Sequence, residues 1–138
     1  MTTRDTNSKK NKSKVYWEEK LTPEQYKYLR EKATERPFSG ELLNNKESGM
    51  YKCAACAEEL FSSDTKYESG SGWPSFYDAV DKDKIELVDD YSSGMYRIEV
   101  KCANCRSHLG HLFEDGPEPT GKRYCINSAC LAFEPDED

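Results

Sequence analysis

The sequence has no apolar run long enough to form a transmembrane helix. Its N-terminus also lacks the apolar stretch of a secretory signal, so we expect a cytoplasmic protein with no membrane partner. Acidic residues outnumber basic ones by 26 to 20, which leaves a formal net charge of −6. This balance disfavours a broad basic surface for phosphate backbones, and we predict no nucleic-acid partner.

The length of the chain, 138 residues, suits a single domain. Residues 1–14 are polar and are predicted to be a disordered tail, with the domain over residues 15–135. A helix is expected to begin after Thr22, because Pro23 suits the first helical position and Gln25 completes a capping box. Beyond it, short apolar runs alternate with turn residues, which is typical of antiparallel strands.

Three segments carry the strand pattern most clearly. Residues 49–53 and 95–101 each run into a C-x-x-C pair, and residues 123–128 alternate as well. In the second of these, Val100 belongs to the apolar face and Glu99 to the charged face, as in a strand buried on one side only. The sequence therefore predicts a mainly β fold.

Four of the six cysteines form the two C-x-x-C pairs: Cys53 with Cys56, and Cys102 with Cys105. Two residues between thiols let both sulfurs face one ion about 2.3 Å away, and two such pairs close a tetrahedron. We predict one structural zinc ion per chain, with a β subdomain between the pairs. Two redox-active pairs or an iron–sulfur cluster are the alternatives.

The remaining cysteines lie in the segment over residues 123–130. Residues of the same parity share one face of a strand, so Arg123, Cys125 and Asn127 are expected to project together, away from the core. A thiol between a guanidinium and an amide is in an electropositive setting, which favours the nucleophilic thiolate. The alternative is that Cys125 is a small buried hydrophobic residue.

The only two histidines, His108 and His111, directly follow the second cysteine pair. Since four cysteines already complete a metal site, the histidines are candidates for acid–base chemistry or for core residues that hydrogen-bond the backbone. A glycine-rich loop over residues 70–72 precedes Trp73. This tryptophan either walls a pocket or anchors the loop to the core.

Taken in order, these segments closely resemble the methionine sulfoxide reductase B (MsrB) family, the peptide-methionine (R)-S-oxide reductases. The resemblance spans about residues 15–134 and implies two antiparallel sheets with small N-terminal helices, stabilised by zinc. The matching segments are residues 53–56, 69–76, 102–105, 108–113 and 123–128.

The resemblance also implies a reaction, in which oxidised proteins carrying the R epimer of methionine sulfoxide are repaired under oxidative stress. Cys125 would attack the sulfoxide sulfur and become a sulfenic acid. The protein is expected to act as a monomer. The implied site residues are the catalytic His111, His108 and Asn127, with His111 as the acid, and the substrate-binding Trp73, Arg123 and Phe113.

One position departs from the family pattern. Many members carry a second cysteine two residues before the tryptophan, which resolves the sulfenic acid into a disulfide that thioredoxin reduces. Ser71 stands there in this sequence. Cys130 is a possible substitute only if the chain turns sharply near Ser128 and Ala129 or loosens during the cycle, because five extended residues span roughly 16 Å. Otherwise thioredoxin or a small thiol reduces Cys125 directly.

Two other functions remain open at this point. A zinc-stabilised β domain could be a binding module in which Cys125 is structural. It could also be a redox chaperone that releases its metal on oxidation.

Overall fold

The computed structural model describes residues 14–92 and 94–136. Within them, two short helices, α1 (Lys14–Lys20) and α2 (Pro23–Arg30), precede nine strands. Neither helix is long and apolar enough to cross a membrane. The strands are β1 (Gly49–Cys53), β2 (Glu59–Ser62), β3 (Lys66–Tyr67), β4 (Ser75–Phe76), β5 (Ile85–Asp90), β6 (Arg97–Cys102), β7 (His108–Phe113), β8 (Arg123–Ile126) and β9 (Leu131–Pro135).

The predicted N-terminal tail, residues 1–14, lies outside the described residues except for Lys14, which begins α1. The start of α2 is as predicted. The Thr22 hydroxyl accepts a hydrogen bond from the Gln25 amide at 3.1 Å, and the Thr22 amide donates to the Gln25 side chain at 3.0 Å. This capping box fixes the helix start, and Pro23 opens the first turn.

The strands form two antiparallel sheets. The smaller has the order β2-β1-β9, and the larger has the order β3-β4-β8-β7-β6-β5. The mainly β fold with two sheets and small N-terminal helices is therefore confirmed. β8 lies in the middle of the larger sheet, between β4 and β7, so its side chains have neighbours on both sides.

The core lies where the two sheets meet, and aromatic rings fill it. Phe61 of the smaller sheet stacks on Phe76 of the larger one with ring centroids 4.6 Å apart. Tyr51 meets Phe76 edge-on at 5.0 Å, and Tyr124 lies 5.5 Å from Phe61. Large aromatic areas contribute strongly to a small core. One face of the larger sheet is therefore buried, which leaves its other face available for a site.

Two strand predictions need correction. β6 begins at Arg97, two residues later than expected, and Glu99 on its charged face is buried rather than solvated. Burial of this carboxylate is possible because its Oε2 atom lies 2.8 Å from Nδ1 of His108. β8 ends at Ile126, because a 3-10 turn begins at Ser128.

Candidate active site and metal centre

The four C-x-x-C cysteines converge on one point, with their sulfur atoms all within 4.8 Å of one another. The Cys53 and Cys105 sulfurs are 3.8 Å apart, and those of Cys56 and Cys102 are 3.6 Å apart. A tetrahedral ion with bonds of about 2.3 Å needs sulfur–sulfur edges of about 3.8 Å. The cluster therefore fits a metal ion.

Both halves of this cluster use the same turn. The residue after each pair, Ala57 or Arg106, has a left-handed backbone, with φ of 68° and 64°. Its amide donates back to the first cysteine of the pair, to the Cys53 carbonyl at 2.8 Å and to the Cys102 carbonyl at 2.7 Å. These turns aim two thiols from each half at one point, so the ligands are arranged by the backbone itself.

A separate cavity of about 260 Å³ opens on the other side of the larger sheet. It brings together six of the predicted site residues, whereas His108 and Cys130 are not among the residues that line it. Its walls are formed by Thr34, Ser71, Trp73, Arg97, Gly110, His111, Phe113, Arg123, Cys125 and Asn127.

The predicted alternation along β8 places the thiol in this cavity. Tyr124 and Ile126 are buried in the core, while Cys125 faces the opposite way. Across the sheet, Cys125 pairs with His111 on one side and with Ser75 on the other. Directly opposed residues of neighbouring antiparallel strands have Cβ atoms about 4.5–5.5 Å apart. The imidazole and the thiol are therefore neighbours.

The thiol of Cys125 is protonated in the resting protein. Burial raises its pKa, although the Ser71 hydroxyl, 3.9 Å from the sulfur, and the charge of Arg123 both lower it. The sequence had led us to expect a thiolate. The charge of Arg123 does lower the pKa of the thiol, but burial raises this pKa by more.

The charge of Arg123 is shared with a carboxylate. Its Nε and Nη2 atoms donate to Asp115 at 2.8 and 3.1 Å, and its guanidinium lies 4.4 Å from the centre of the Phe113 ring. Such a bidentate pair fixes the guanidinium plane. Arg123 and Phe113 thus form one rigid side of the cavity.

His111 is held by a buried carboxylate that the sequence did not reveal. Its Nε2 atom lies 2.7 Å from Oδ2 of Asp90, which is 3% exposed, and Lys32 lies 3.3 Å from the other carboxylate oxygen. Burial lowers the pKa of His111, against the effect of Asp90. The imidazole is therefore neutral near pH 7 and donates from Nε2, which leaves Nδ1 as an acceptor. The apolar run before Asp90 was the only signal of its burial.

His108 lies behind this pair. Its ring centroid is 5.5 Å from that of His111, and its Nδ1 atom bonds Glu99. Lys32 lies 3.5 Å from Glu99 as well as near Asp90, so one ammonium bridges both carboxylates. His108 therefore packs behind His111 and does not line the cavity.

Glu35 is a second residue that the sequence does not mark as part of the site. It hydrogen-bonds several residues at the side of the cavity that contains Trp73 and Asn127. Its carboxylate is 5% exposed and accepts hydrogen bonds from the amides of Ser128 at 2.8 Å and Ala129 at 3.2 Å. Its carbonyl accepts from the indole of Trp73 at 3.0 Å, and its amide donates to the Asn127 side chain at 3.1 Å. One residue thus positions the tryptophan, the asparagine and the turn that follows β8.

The Asn127 amide has a defined orientation as a result. Its oxygen accepts from the Glu35 amide, and its Nδ2 atom donates to the Leu109 carbonyl at 3.2 Å. Its side chain also forms a hydrogen bond with the buried Cys130 thiol. Asn127 lines the cavity, so these contacts fix its position beside any group bound there.

Known proteins are similar to this chain over most of its length. The SelR domain family matches residues 21–135. A peptide methionine sulfoxide reductase MsrB of Methanosarcina mazei is 63% identical over 131 residues, which cover 95% of this chain and 94% of that protein. The chain belongs to the MsrB family. It is thus an oxidoreductase that acts on methionine sulfoxide, and the alternative of a binding module is not supported.

Two further MsrB relatives show how widely the family pattern holds. The protein from Agrobacterium fabrum is 55% identical over 94% of this chain and 96% of its own length. The mouse protein named methionine-R-sulfoxide reductase B3, mitochondrial, is 55% identical over 84% of this chain and 46% of its own length. The resemblance seen in the sequence is therefore confirmed.

Within this MsrB fold, Cys130 is poorly placed to reach Cys125. The chain does turn after Asn127, as a resolving role requires, but the turn carries Cys130 into the core, where it is 0% exposed. Burial raises the pKa of this thiol. None of the six cysteines is in a disulfide. Cys130 is therefore part of the packing in this conformation.

We expect Glu35→Ala to destabilise the protein by about 2–4 kcal/mol, because it leaves the buried Ser128 amide and the half-buried Ala129 amide without this partner. Urea unfolding of the metal-loaded protein measures this change. Glu24→Ala is the matched control, since Glu24 is exposed in the first turn of α2. Equal unfolding midpoints for the two variants would contradict the role of Glu35.

Proposed function

We propose that this MsrB protein reduces the R epimer of methionine sulfoxide in oxidised proteins, with Cys125 as the nucleophile. The observation that carries the proposal is the register between β7 and β8. It sets Cys125 directly opposite His111 in a cavity that also holds Trp73 and Asn127. A nucleophile, a proton carrier, an apolar wall and a hydrogen-bond donor thus surround one space.

In the proposed step, the Cys125 sulfur attacks the sulfoxide sulfur and ends up bonded to its oxygen. The sulfur–oxygen bond of the substrate breaks and methionine leaves, reduced by two electrons. Cys125 is oxidised by two electrons to a sulfenic acid. The thiol proton ends on the transferred oxygen, so no external acid is consumed.

His111 is well suited to move that proton. Its pKa is lowered and that of Cys125 is raised, so both are neutral before the reaction. The free Nδ1 atom can take the proton from the thiol and pass it to the sulfoxide oxygen. Asp90, bonded to Nε2, stabilises the imidazolium that forms between these two transfers.

Asn127 and Trp73 would position the substrate. Asn127 lines the cavity and would contact the sulfoxide oxygen as negative charge develops on it. The indole of Trp73, fixed by the Glu35 carbonyl, offers an apolar face to the methyl group of the sulfoxide. If the sulfoxide oxygen is held at Asn127 and the methyl group at Trp73, only one epimer of the sulfoxide would present its sulfur to Cys125.

We propose zinc as the ion held by Cys53, Cys56, Cys102 and Cys105. Four sulfur ligands at tetrahedral spacing are typical of structural zinc and leave no open position for water. When bound, the ion supplies cross-linking and no chemistry in the cavity. Metal analysis should find one zinc ion per chain.

We also propose that thioredoxin or a small thiol reduces the sulfenic acid directly. Ser71 cannot form a disulfide, and Cys130 is buried away from the cavity. Six free cysteines suit a reducing compartment, and the cytoplasm and a monomeric state remain our predictions.

An epimer-resolved assay tests this function. Peptides with one methionine-R-sulfoxide or one methionine-S-sulfoxide are incubated with the protein and either dithiothreitol or thioredoxin. We expect reduction of the R form only. Cys130→Ser should retain turnover with both reductants. Reduction of neither epimer, or of both equally, would refute the proposed activity.

We expect Ser71→Cys to install the missing resolving thiol. The Ser71 hydroxyl lies 3.9 Å from the Cys125 sulfur, and the flanking Gly70 and Gly72 give the loop freedom to close the remaining distance of about 2 Å. After one turnover with substrate and no reductant, mass spectrometry should find a disulfide in this variant. Wild type should instead give a sulfenic acid that dimedone traps. A trappable sulfenic acid of equal yield in the variant would contradict the expected geometry.

A further inference from the structure

A second groove borders the active site across the indole of Trp73. It has a volume of about 200 Å³, and its walls include Phe38, Leu43, Tyr67 and Gly72. Trp73 lines this groove and the catalytic cavity alike. We call it the flanking groove. The indole of Trp73 thus lies between the two spaces.

Phe38 at the edge of the flanking groove is unusual in two respects. Its side chain is 70% exposed, and its backbone is left-handed, with φ of 67°. A left-handed backbone is unfavourable for an aromatic residue, and an exposed ring gains nothing from burial. Neither property benefits the fold. Strained residues with exposed apolar side chains are typical of binding sites.

The position of Phe38 is nevertheless well defined. Its amide donates to the Gly72 carbonyl at 2.7 Å, which attaches it to the loop that carries Trp73. A Cβ atom at Gly72 would lie 3.1 Å from the phenyl ring, so the ring covers this glycine. The backbone of Phe38 is therefore attached to the loop that carries Trp73, and its ring packs against the glycine that precedes the tryptophan.

The opposite wall of the flanking groove is fixed as well. The ammonium of Lys66 donates to the carbonyls of Leu43 at 2.7 Å and Asn45 at 3.1 Å, which holds this loop in place. A groove with both walls held before binding loses little entropy when a ligand enters.

We propose that the flanking groove binds an apolar side chain next to the oxidised methionine of a polypeptide substrate, with Phe38 as its main contact. This inference rests on the proposed function. Its support is the continuity of the groove with the catalytic cavity through Trp73. Residues of an extended peptide are about 3.3 Å apart, so a neighbour within two positions of the methionine reaches past one indole ring.

The test uses peptides with one methionine-R-sulfoxide in a glycine–serine background, with leucine or phenylalanine at a single position up to two residues away on either side. With dithiothreitol as reductant, we expect wild type to prefer the apolar peptide at one of these positions by about tenfold in kcat/KM. Phe38→Ser should reduce this preference to within twofold. Its turnover of the all-glycine peptide should stay within twofold of wild type.

A second variant separates binding from folding. Phe38→Gly removes the left-handed strain, so its melting temperature should equal or exceed that of wild type while the preference is lost. Tyr91→Ser is the matched control, because Tyr91 is 68% exposed and does not line the groove. It should keep the preference.

Each other outcome overturns the inference. A wild type that reduces the all-glycine peptide but shows no apolar preference leaves the proposed function intact and refutes the groove. If both Phe38 variants keep the apolar preference, the proposed function also stands and the role of the flanking groove is refuted. If the variants slow only the thioredoxin-supported reaction, the groove belongs to the reductant. If no peptide is reduced, the proposed function fails and the inference fails with it.

Discussion

Cys125→Ser should reduce methionine-R-sulfoxide turnover by at least about 10⁴-fold, to the background of the assay. The sulfur cannot be replaced by oxygen here, because the product would need an oxygen–oxygen bond in place of a sulfenic acid. A serine hydroxyl is also far harder to deprotonate than a thiol, and the neutral His111 is a weak base. The measurement is single-turnover reduction of an R-sulfoxide peptide, which removes any dependence on the reductant.

Cys130→Ser and metal analysis provide the controls for this experiment. Because Cys130 does not line the cavity, its variant should keep near-normal single-turnover rates. Because Cys125 is not among the clustered cysteines, Cys125→Ser should keep its metal and its melting temperature. Substantial turnover by Cys125→Ser would show that another group attacks the sulfoxide.

Burial of the Cys125 thiol bears on its reactivity before substrate binds. A thiolate reacts readily with oxidants, whereas burial raises the pKa of Cys125 and so favours the protonated thiol. In the proposed mechanism, the proton leaves this thiol when a sulfoxide oxygen is bound to receive it through His111. Such a site would combine a reactive enzyme with a thiol that is less readily oxidised at rest.

Much of this site could be predicted because local patterns determine it. The alternation along β8 gave the common face of Arg123, Cys125 and Asn127, and those three side chains do line one cavity. The spacing of each C-x-x-C pair sets its turn without help from the rest of the fold. Where one strand or one turn fixes a geometry, the sequence is sufficient.

The missed features all depend on contacts between distant residues. Glu35 meets Asn127 across 92 positions, and Asp90 meets His111 across 21. No local pattern marks Glu35, and only the apolar run before Asp90 indicates that this carboxylate is buried. The pKa of Cys125 was misjudged for the same reason, since the charge of Arg123 is visible in the sequence and the burial of the thiol is not.

The metal cluster is the point at which the two sheets are joined. Cys53 ends β1 of the smaller sheet, and Cys102 ends β6 of the larger one. Arg30 of α2 donates to the Cys105 carbonyl at 3.0 Å, so the helix is attached there too. An ion at this point connects three parts of the fold, in addition to the aromatic core that lies between the sheets.

Cys102→Ser should therefore prevent stable folding. Structural zinc sites contribute about 10–16 kcal/mol in small peptides, while a whole domain is stable by only about 5–15 kcal/mol. We expect the variant to bind less than a tenth of the wild-type metal and to lose its cooperative melting transition, as circular dichroism and elemental analysis would measure. Treating wild type with a strong chelator should have the same effect. Cys125→Ser, the metal-replete control, should melt as wild type does. A metal-free Cys102→Ser protein that melts cooperatively near the wild-type temperature would show that the aromatic core alone holds the sheets together.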